Sequence, residues 1–191
     1  VPKNLPERFE SLAMPLIDAV YRAALALCGR ADQADDLVQV TYLKAWENFR
    51  SFQEGTNCKA WLMRILRNSR IDQLRRQGLV KFQSLDEEMP LAEHPQADLG
   101  VPQENTAAAV PDVATMLERF SDQQVIEALG QLPPDQRLAL LLADVERMDH
   151  QEIADVMEVP VGTVKSRTSR ARAALREKLL AHAKDLGFVK R

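Results

Sequence analysis

The chain has only two cysteines, Cys28 and Cys58, seven glycines in 191 residues, and an aromatic content of 5%. The cysteines stand alone, with no CxxC and no Cys/His ligand spacing, which excludes a disulfide framework and a zinc site built by this chain. Glycine and proline are too sparse for a low-complexity protein. No apolar run looks long enough to cross a bilayer, and the opening VPKNLPERFE lacks the basic-then-apolar order of a signal peptide, so a soluble, cytoplasmic protein without membrane insertion is expected. His94, His150 and His182 are scattered, and no Gly-rich phosphate loop, Ser/His/Asp set or HExxH is present. This argues against an enzyme, and no cofactor is expected. Short alternating apolar runs bounded by turns are also missing.

What is there is helical periodicity, and the predicted class is all-α, with two small helical domains joined by an acidic linker. In the first domain, residues 6–77, Leu16, Ala19, Val20, Ala23 and Leu27 repeat on one face until Gly29 supplies a stop. In DDLVQVTYLKAWENF, Leu37, Val38, Tyr42, Ala45, Trp46 and Phe49 form a stripe expected to be buried. A third helix buries Trp61, Leu62, Ile65, Leu66 and Ser69 and carries Arg64, Arg67, Asn68 and Arg75 along its other face. Residues 78–119 have scattered proline, alanine and acids and read as the linker. The second domain, residues 120–183, opens on a capping box at Ser121 and Gln124. Pro133-Pro134 interrupts it, and Leu138, Leu141, Leu142 and Val145 follow as the next stripe.

A second capping box, Asp149 with Glu152, starts a short helix with Ile153, Val156 and Met157 inward. A tight turn at Glu158-Val159-Pro160 then leads to a basic helix from about Val161. That order is the helix-turn-helix plan, whose later helix enters the major groove. Val164, Thr168, Ala171 and Leu175 fall inward. Thr163, Ser166, Arg167 and Arg170 are left to reach base edges, and Lys165, Arg172 and Arg176 suit phosphates. A basic helix by itself also fits a plain solvated surface; the capped helix before it, the turn spacing and the small residues favour DNA. The neighbouring Asp144, Glu146, Asp149, Glu152, Asp155 and Glu158 are acidic, so a net charge of -3 conceals a polar division.

The motifs DDLVQVTYLKAW, FQEGTNCKAWLMRILRNSRIDQLRR, LPPDQRLALLLADVE and QEIADVMEVPVGTVKSRTSRAR, in this order, closely resemble bacterial RNA polymerase sigma factors of the extracytoplasmic-function (ECF) group. Within the group, EGTNCKAWL, LLADVE and LLAHAKDLGF resemble most the subgroup controlled by zinc-containing, redox-sensing anti-sigma factors. The resemblance implies a transcription initiation factor that binds core RNA polymerase, through the β′ clamp helices and the β subunit, directs it to promoter DNA and promotes strand opening. It implies polymerase-binding roles for Asp35, Asp36, Gln39, Thr41 and Lys44, with Leu37 and Trp46 more in keeping with core. Minus-ten DNA would fall to Phe52, Asn57, Lys59, Arg64, Arg67, Asn68, Arg75 and Arg76, with Asn57 facing a flipped-out base and Phe52 stacking on one or serving the core. Minus-thirty-five DNA would fall to Thr163, Lys165, Ser166, Arg167, Ser169, Arg170 and Arg172.

Four positions depart from the family pattern. Glu158 stands where the family usually has a glycine, so a positive φ or a rebuilt turn is expected. Val40 replaces a common acid, and Thr168-Ser169 replaces a bulky pair. Two DNA-reading heads two turns apart on one duplex face are separated by roughly 70 Å. About forty linker residues reach at most roughly 130 Å and average about 35 Å as a free coil, so a partner has to hold the span open. An ordinary helix-turn-helix regulator fused to an α-helical partner domain explains the C-terminal third but not Trp46, Asn57, Trp61 and Arg75-Arg76.

Overall fold

The computed structural model describes residues 4–53, 55–78 and 127–185, with side chains described as far as Leu179. The expected linker beyond Gly78 and the box at Ser121 and Gln124 lie outside the described residues. No strand occurs among those described.

Helix α1 (Leu5–Ala13) opens on an Asn4/Glu7 capping box and runs through a 3-10 turn (Met14–Leu16) into α2 (Ile17–Cys28). The continuous stretch Leu5–Cys28 is, by length and composition, apolar enough to cross a membrane, contrary to the sequence-based expectation. Here Ala19, Val20, Ala23, Ala24 and Leu27 face protein. Gly29 ends α2 at φ 72, in the left-handed C-cap conformation that costs glycine least.

Helix α3 (Ala31–Asn48) buries Leu37, Thr41 and Ala45, and a 3-10 turn (Phe49–Ser51) places Phe49 in the core. Trp46 departs from the expected stripe and is 41% exposed, with one ring edge packed on Phe9 of α1 at 5.3 Å. Helix α4 (Cys58–Arg76) starts at Asn57, whose side-chain oxygen accepts the Ala60 amide hydrogen, and buries Leu62, Met63, Leu66 and Ser69. Lys44 pairs with Asp72 at 2.9 Å and ties α3 to α4.

In the second group, Pro134 opens α5 (Pro134–Leu140), where its missing N–H costs nothing. A π turn, Leu141–Val145, follows, with the Glu146 amide donating to the Leu141 carbonyl at 3.0 Å. The extra residue in that turn shifts the helical register. As a result Val145, expected on the buried stripe, is exposed, and Glu146 points inward. Helix α6 (His150–Met157) has the expected Asp149/Glu152 capping box. Glu158 adopts φ 54, ψ 46, as a glycine-type turn demands, and leads into α7 (Val161–Asp185).

The two helical groups share one core. Ala23, Leu27, Leu62 and Leu66 belong to the same buried cluster as Leu138, Leu142, Ile153 and Val156. A second cluster, with Ala128, Leu132, Leu140, Ala171, Leu175 and Leu179, fastens α7 to the segment before it. Arg137, 8% exposed, reaches from α5 to the end of α2. Its Nε donates to the Ala26 carbonyl, one of the helix-end acceptors that lack an intrahelical partner, and its Nη1 donates to the Leu129 carbonyl at 3.4 Å. Burial pushes its guanidinium below the usual arginine range.

Candidate nucleic-acid and polymerase interfaces

The apolar stripe of helix α7 decides which of its side chains are left outside. Val164, Thr168, Ala171 and Leu175 are buried, and Thr168 satisfies its hydroxyl by donating to the Val164 carbonyl at 2.9 Å. Lys165, Ser166, Ser169 and Arg170 stand exposed on the opposite side, with Thr163 half-buried at the N-terminal turn. Arg167 departs from its expected outward position: it lies a quarter exposed against α5 and pairs with Asp135 at 3.2 Å. At three and four residues from the buried Val164 and Ala171, it borders the core stripe. Arg172 is exposed and held by Asp144 in a two-point pair, 2.6 and 3.1 Å. A fork bound to a carboxylate is oriented for a phosphate of the same shape.

On α3, Asp35, Asp36 and Gln39 are exposed together. Thr41 is not part of that surface: it is fully buried and its hydroxyl donates to the Leu37 carbonyl at 2.7 Å. Lys44 is half-buried and turned to Asp72, whose carboxyl it holds below the usual range. Leu43, 63% exposed and four residues from Gln39, continues the outer face with Trp46 beside it. Sequence reading missed Leu43, although an apolar residue off the buried stripe is itself a signal for a contact surface.

The minus-ten candidates divide. Phe52 stacks on Phe49 at 5.7 Å and touches Trp61 at 5.0 Å, leaving it 8% exposed, so it serves the core and is not free to stack on a base. Asn57 stays exposed at the head of α4, where the N-cap bond occupies its oxygen and leaves its amide hydrogens to point outward. Arg64, Arg75 and Arg76 are exposed, and Arg67 and Asn68 are half-buried.

Three of these groups already have acidic partners. The Asn57 amide donates to Glu152 at 2.6 Å, Lys59 pairs with Glu146 at 3.1 Å, and Arg67 pairs with Glu158 at 3.4 Å. Glu146 also receives Arg22 of α2 at 2.6 Å, and its side chain is only 4% exposed. Sequence reading treated these glutamates as a DNA-repelling fringe, whereas here they grip the first helical group. Beside this contact an apolar cleft of about 380 Å³ opens between Leu25 and Ala26 on one side and Leu129, Leu141 and Val145 on the other.

Cys28 and Cys58 are free and half-buried, and burial pushes both thiols up. Among the described residues no group of His, Cys, Asp and Glu is arranged to hold a metal ion.

Residues 12–80 match the family model for sigma-70 region 2, and residues 122–175 match sigma-70 region 4. The chain is 37% identical to the ECF RNA polymerase sigma factor EcfG of Rhodopseudomonas palustris, over 86% of this chain and 81% of that one. It is 33% identical to the ECF sigma factor SigE of Mycolicibacterium smegmatis, covering 93% of this chain and spanning 63% of that relative's length. Among solved structures, the sigma factor RpoE in complex with the anti-sigma factor NepR from Bartonella quintana is similar, with TM-score 0.66 and 30% identity over 91% of this chain and 97% of that one. CnrH in complex with the cytosolic domain of CnrY follows at TM-score 0.60 and 26% identity, over 92% of this chain and 90% of that one. A lone helix-turn-helix regulator leaves the region 2 match unexplained. With both regions present in order on one polypeptide, the chain belongs to the ECF group of the sigma-70 family of RNA polymerase sigma factors.

Proposed function

We infer that this chain is a transcription initiation factor: it binds core RNA polymerase, directs it to particular promoters and promotes strand opening. The observation that carries the reading is the presence of region 2 and region 4, in that order, on a single chain. It acts by assembly, without a catalytic step of its own, in the cytoplasm where the polymerase works. Residues 6–77 form the polymerase-binding and minus-ten unit, 78–119 the acidic linker, and 120–183 the minus-thirty-five unit.

Asp35, Asp36 and Gln39, with Leu43 beside them, meet the β′ clamp helices, and the β subunit takes the second unit. An exposed leucine among acids and amides supplies a desolvated centre ringed by polar contacts, the arrangement common at specific interfaces. Asn57 offers amide donors to an unstacked base, and Arg64, Arg67, Asn68, Arg75 and Arg76 hold the separated strands. Lys165, Ser166, Ser169 and Arg170 face the minus-thirty-five groove, with Thr163 at its edge and Arg172 on phosphate. An anti-sigma factor is the expected regulator, in keeping with the complexes in which the similar structures were solved. The motifs EGTNCKAWL and LLADVE support a zinc-containing, redox-sensing one.

The test is in-vitro transcription with purified bacterial core polymerase on a promoter library. Association with core and RNA from a defined subset of templates is expected. Absence of either overturns the reading.

A further inference from the structure

None of the residues assigned above to polymerase or DNA lines the apolar cleft of about 380 Å³. Its walls are Leu25 of α2 and Leu129 on the segment before α5, with Leu140, Leu141 and Val145 of α5 and the π turn. Val145 is 46% exposed there because the π turn rotates it out of the buried stripe. Such turns are rare and frequently stand at functional sites.

Three charged residues line the cleft, and two of them are matched. Arg22 pairs with Glu146 at 2.6 Å, and Asp144 holds Arg172 in its two-point pair. Arg137 differs. It is 8% exposed and donates to the Ala26 and Leu129 carbonyls, and among the described residues no carboxylate pairs with it. Carbonyls answer part of the hydrogen bonding of the guanidinium and none of its net charge, and a buried cation without an opposite charge is costly. Burial accordingly pushes this guanidinium below the usual arginine range. Gly29 shapes the same place: a Cβ there would lie 3.8 Å from both Nη1 and Nη2, so the missing side chain leaves that edge of the fork to the cleft.

We propose that the cleft is a binding site for a free medium-chain monocarboxylic acid, its carboxylate on the Nη edge of Arg137 and its alkyl chain along Leu25, Leu129, Leu140, Leu141 and Val145. Charge complementarity selects the head group, since a carboxylate matches the planar fork in shape and supplies the opposite charge. The walls select the tail. Their side chains carry no donor or acceptor, so a sugar, a base or a phosphate ester would lose its water there without replacement. The volume lies near the lower end of the roughly 300 to 1,000 Å³ of small-ligand sites, which suits one chain of about 8 to 12 carbons and not a two-chain lipid. With α2 on one side and the π turn on the other, the bound acid stabilises the folded chain by mass action.

Calorimetric titration of the full chain at pH 7.5 tests this, with decanoate below its micellar range, octanoate and 1-octanol as probes. One saturable decanoate site is expected, with octanoate about tenfold weaker for its two fewer methylenes. The uncharged 1-octanol should bind at least about tenfold more weakly than octanoate, having no charge-assisted bond to offer. Val145→Asp sets a like charge in the cleft and Val145→Trp fills it, at a position exposed enough to spare the fold. Each should weaken decanoate at least about tenfold while keeping the wild-type circular dichroism.

The proposal is overturned if decanoate shows no saturable site. It is overturned equally if 1-octanol binds as tightly as octanoate, which assigns the cleft to an uncharged apolar occupant, or if both folded variants keep wild-type affinity, which places the acid elsewhere on the surface. Should the variants not fold, the comparison of octanoate with 1-octanol on the wild-type chain decides alone. Neither DNA nor polymerase enters the measurement, so its failure leaves the initiation-factor reading standing, and failure of that reading leaves the site.

Discussion

Asn57 caps α4, and the proposed function gives it a second job, base capture, that substitution separates from the first. Its side-chain oxygen caps α4 by accepting the Ala60 amide hydrogen at 3.1 Å, and its amide nitrogen faces outward, where Glu152 now meets it. Asn57→Ala removes both functions, and losing an N-cap costs about 1 kcal/mol. In a chain of this length that lowers the melting temperature by about 2 to 4 °C. Asn57→Asp keeps a cap of equal rank. Its negative charge at the helix N-terminus gains about 0.3 to 1 kcal/mol, and its repulsion by Glu152 across solvent costs about 1 kcal/mol. The two nearly cancel, and both variants lose the Glu152 hydrogen bond alike, so Asn57→Asp is expected to melt about 2 to 4 °C above Asn57→Ala. Neither variant can donate an amide hydrogen to a base. A base-edge contact is worth about 1 to 3 kcal/mol, so promoter opening should fall about 5- to 150-fold in both. Permanganate reactivity of unpaired thymines, with the variants loaded on core polymerase, reads that step. Wild-type opening by Asn57→Asp refutes the base-capture role. Wild-type opening by Asn57→Ala together with its melting loss leaves Asn57 as a cap and nothing more.

Arg137→Ala strips a buried donor from the Ala26 and Leu129 carbonyls, and a urea unfolding free energy lowered by about 2 to 4 kcal/mol, with an earlier midpoint, is expected once the relieved desolvation of the guanidinium is set against the two orphaned acceptors. Arg137→Lys should not restore it, since a single ammonium cannot span both carbonyls, and an unchanged midpoint in either variant counts against the bridge. Burial raises Cys28 and Cys58, so the folded chain holds less thiolate at neutral pH than the unfolded chain, and thiol modification at pH 7.5 should be slower than in denaturant. The linked effect on folding is stability fully present below the ordinary thiol range and lost as pH rises through the elevated folded value; rapid labelling of native protein at pH 7 contradicts this.

Much of the architecture was legible because periodicity reports burial. The stripe of α2, the Asp149/Glu152 box and the inward face of α7 follow from spacing alone, and the departure at Glu158 translated directly into a positive φ of 54°. Trp46 and Val145 broke the pattern for different reasons. The first lies at the margin of its stripe and packs only one edge, and the second is turned out by a π turn that no period of 3.6 anticipates. Thr41 is buried where an exposed contact was expected, and Phe52 takes the core alternative left open for it, because resemblance transfers a position's role without its packing. Arg167 shows the same limit at the edge of a helical face, where a long side chain can settle on a neighbour. The cross-contacts of Glu146, Glu152 and Glu158 were beyond the sequence, since pairing across more than eighty residues leaves no local signal.

The contact between the two helical groups mixes forces that respond oppositely to ionic strength. Added electrolyte weakens the Arg67–Glu158 pair through its exposed glutamate end, screens the sheltered Glu146 carboxylate far less, and leaves the merged apolar core intact or tighter. Affinity for DNA phosphates, in contrast, collapses steeply over the same range. An ionic shock that weakens phosphate contacts is therefore expected to leave the apolar contact between the two helical groups in place.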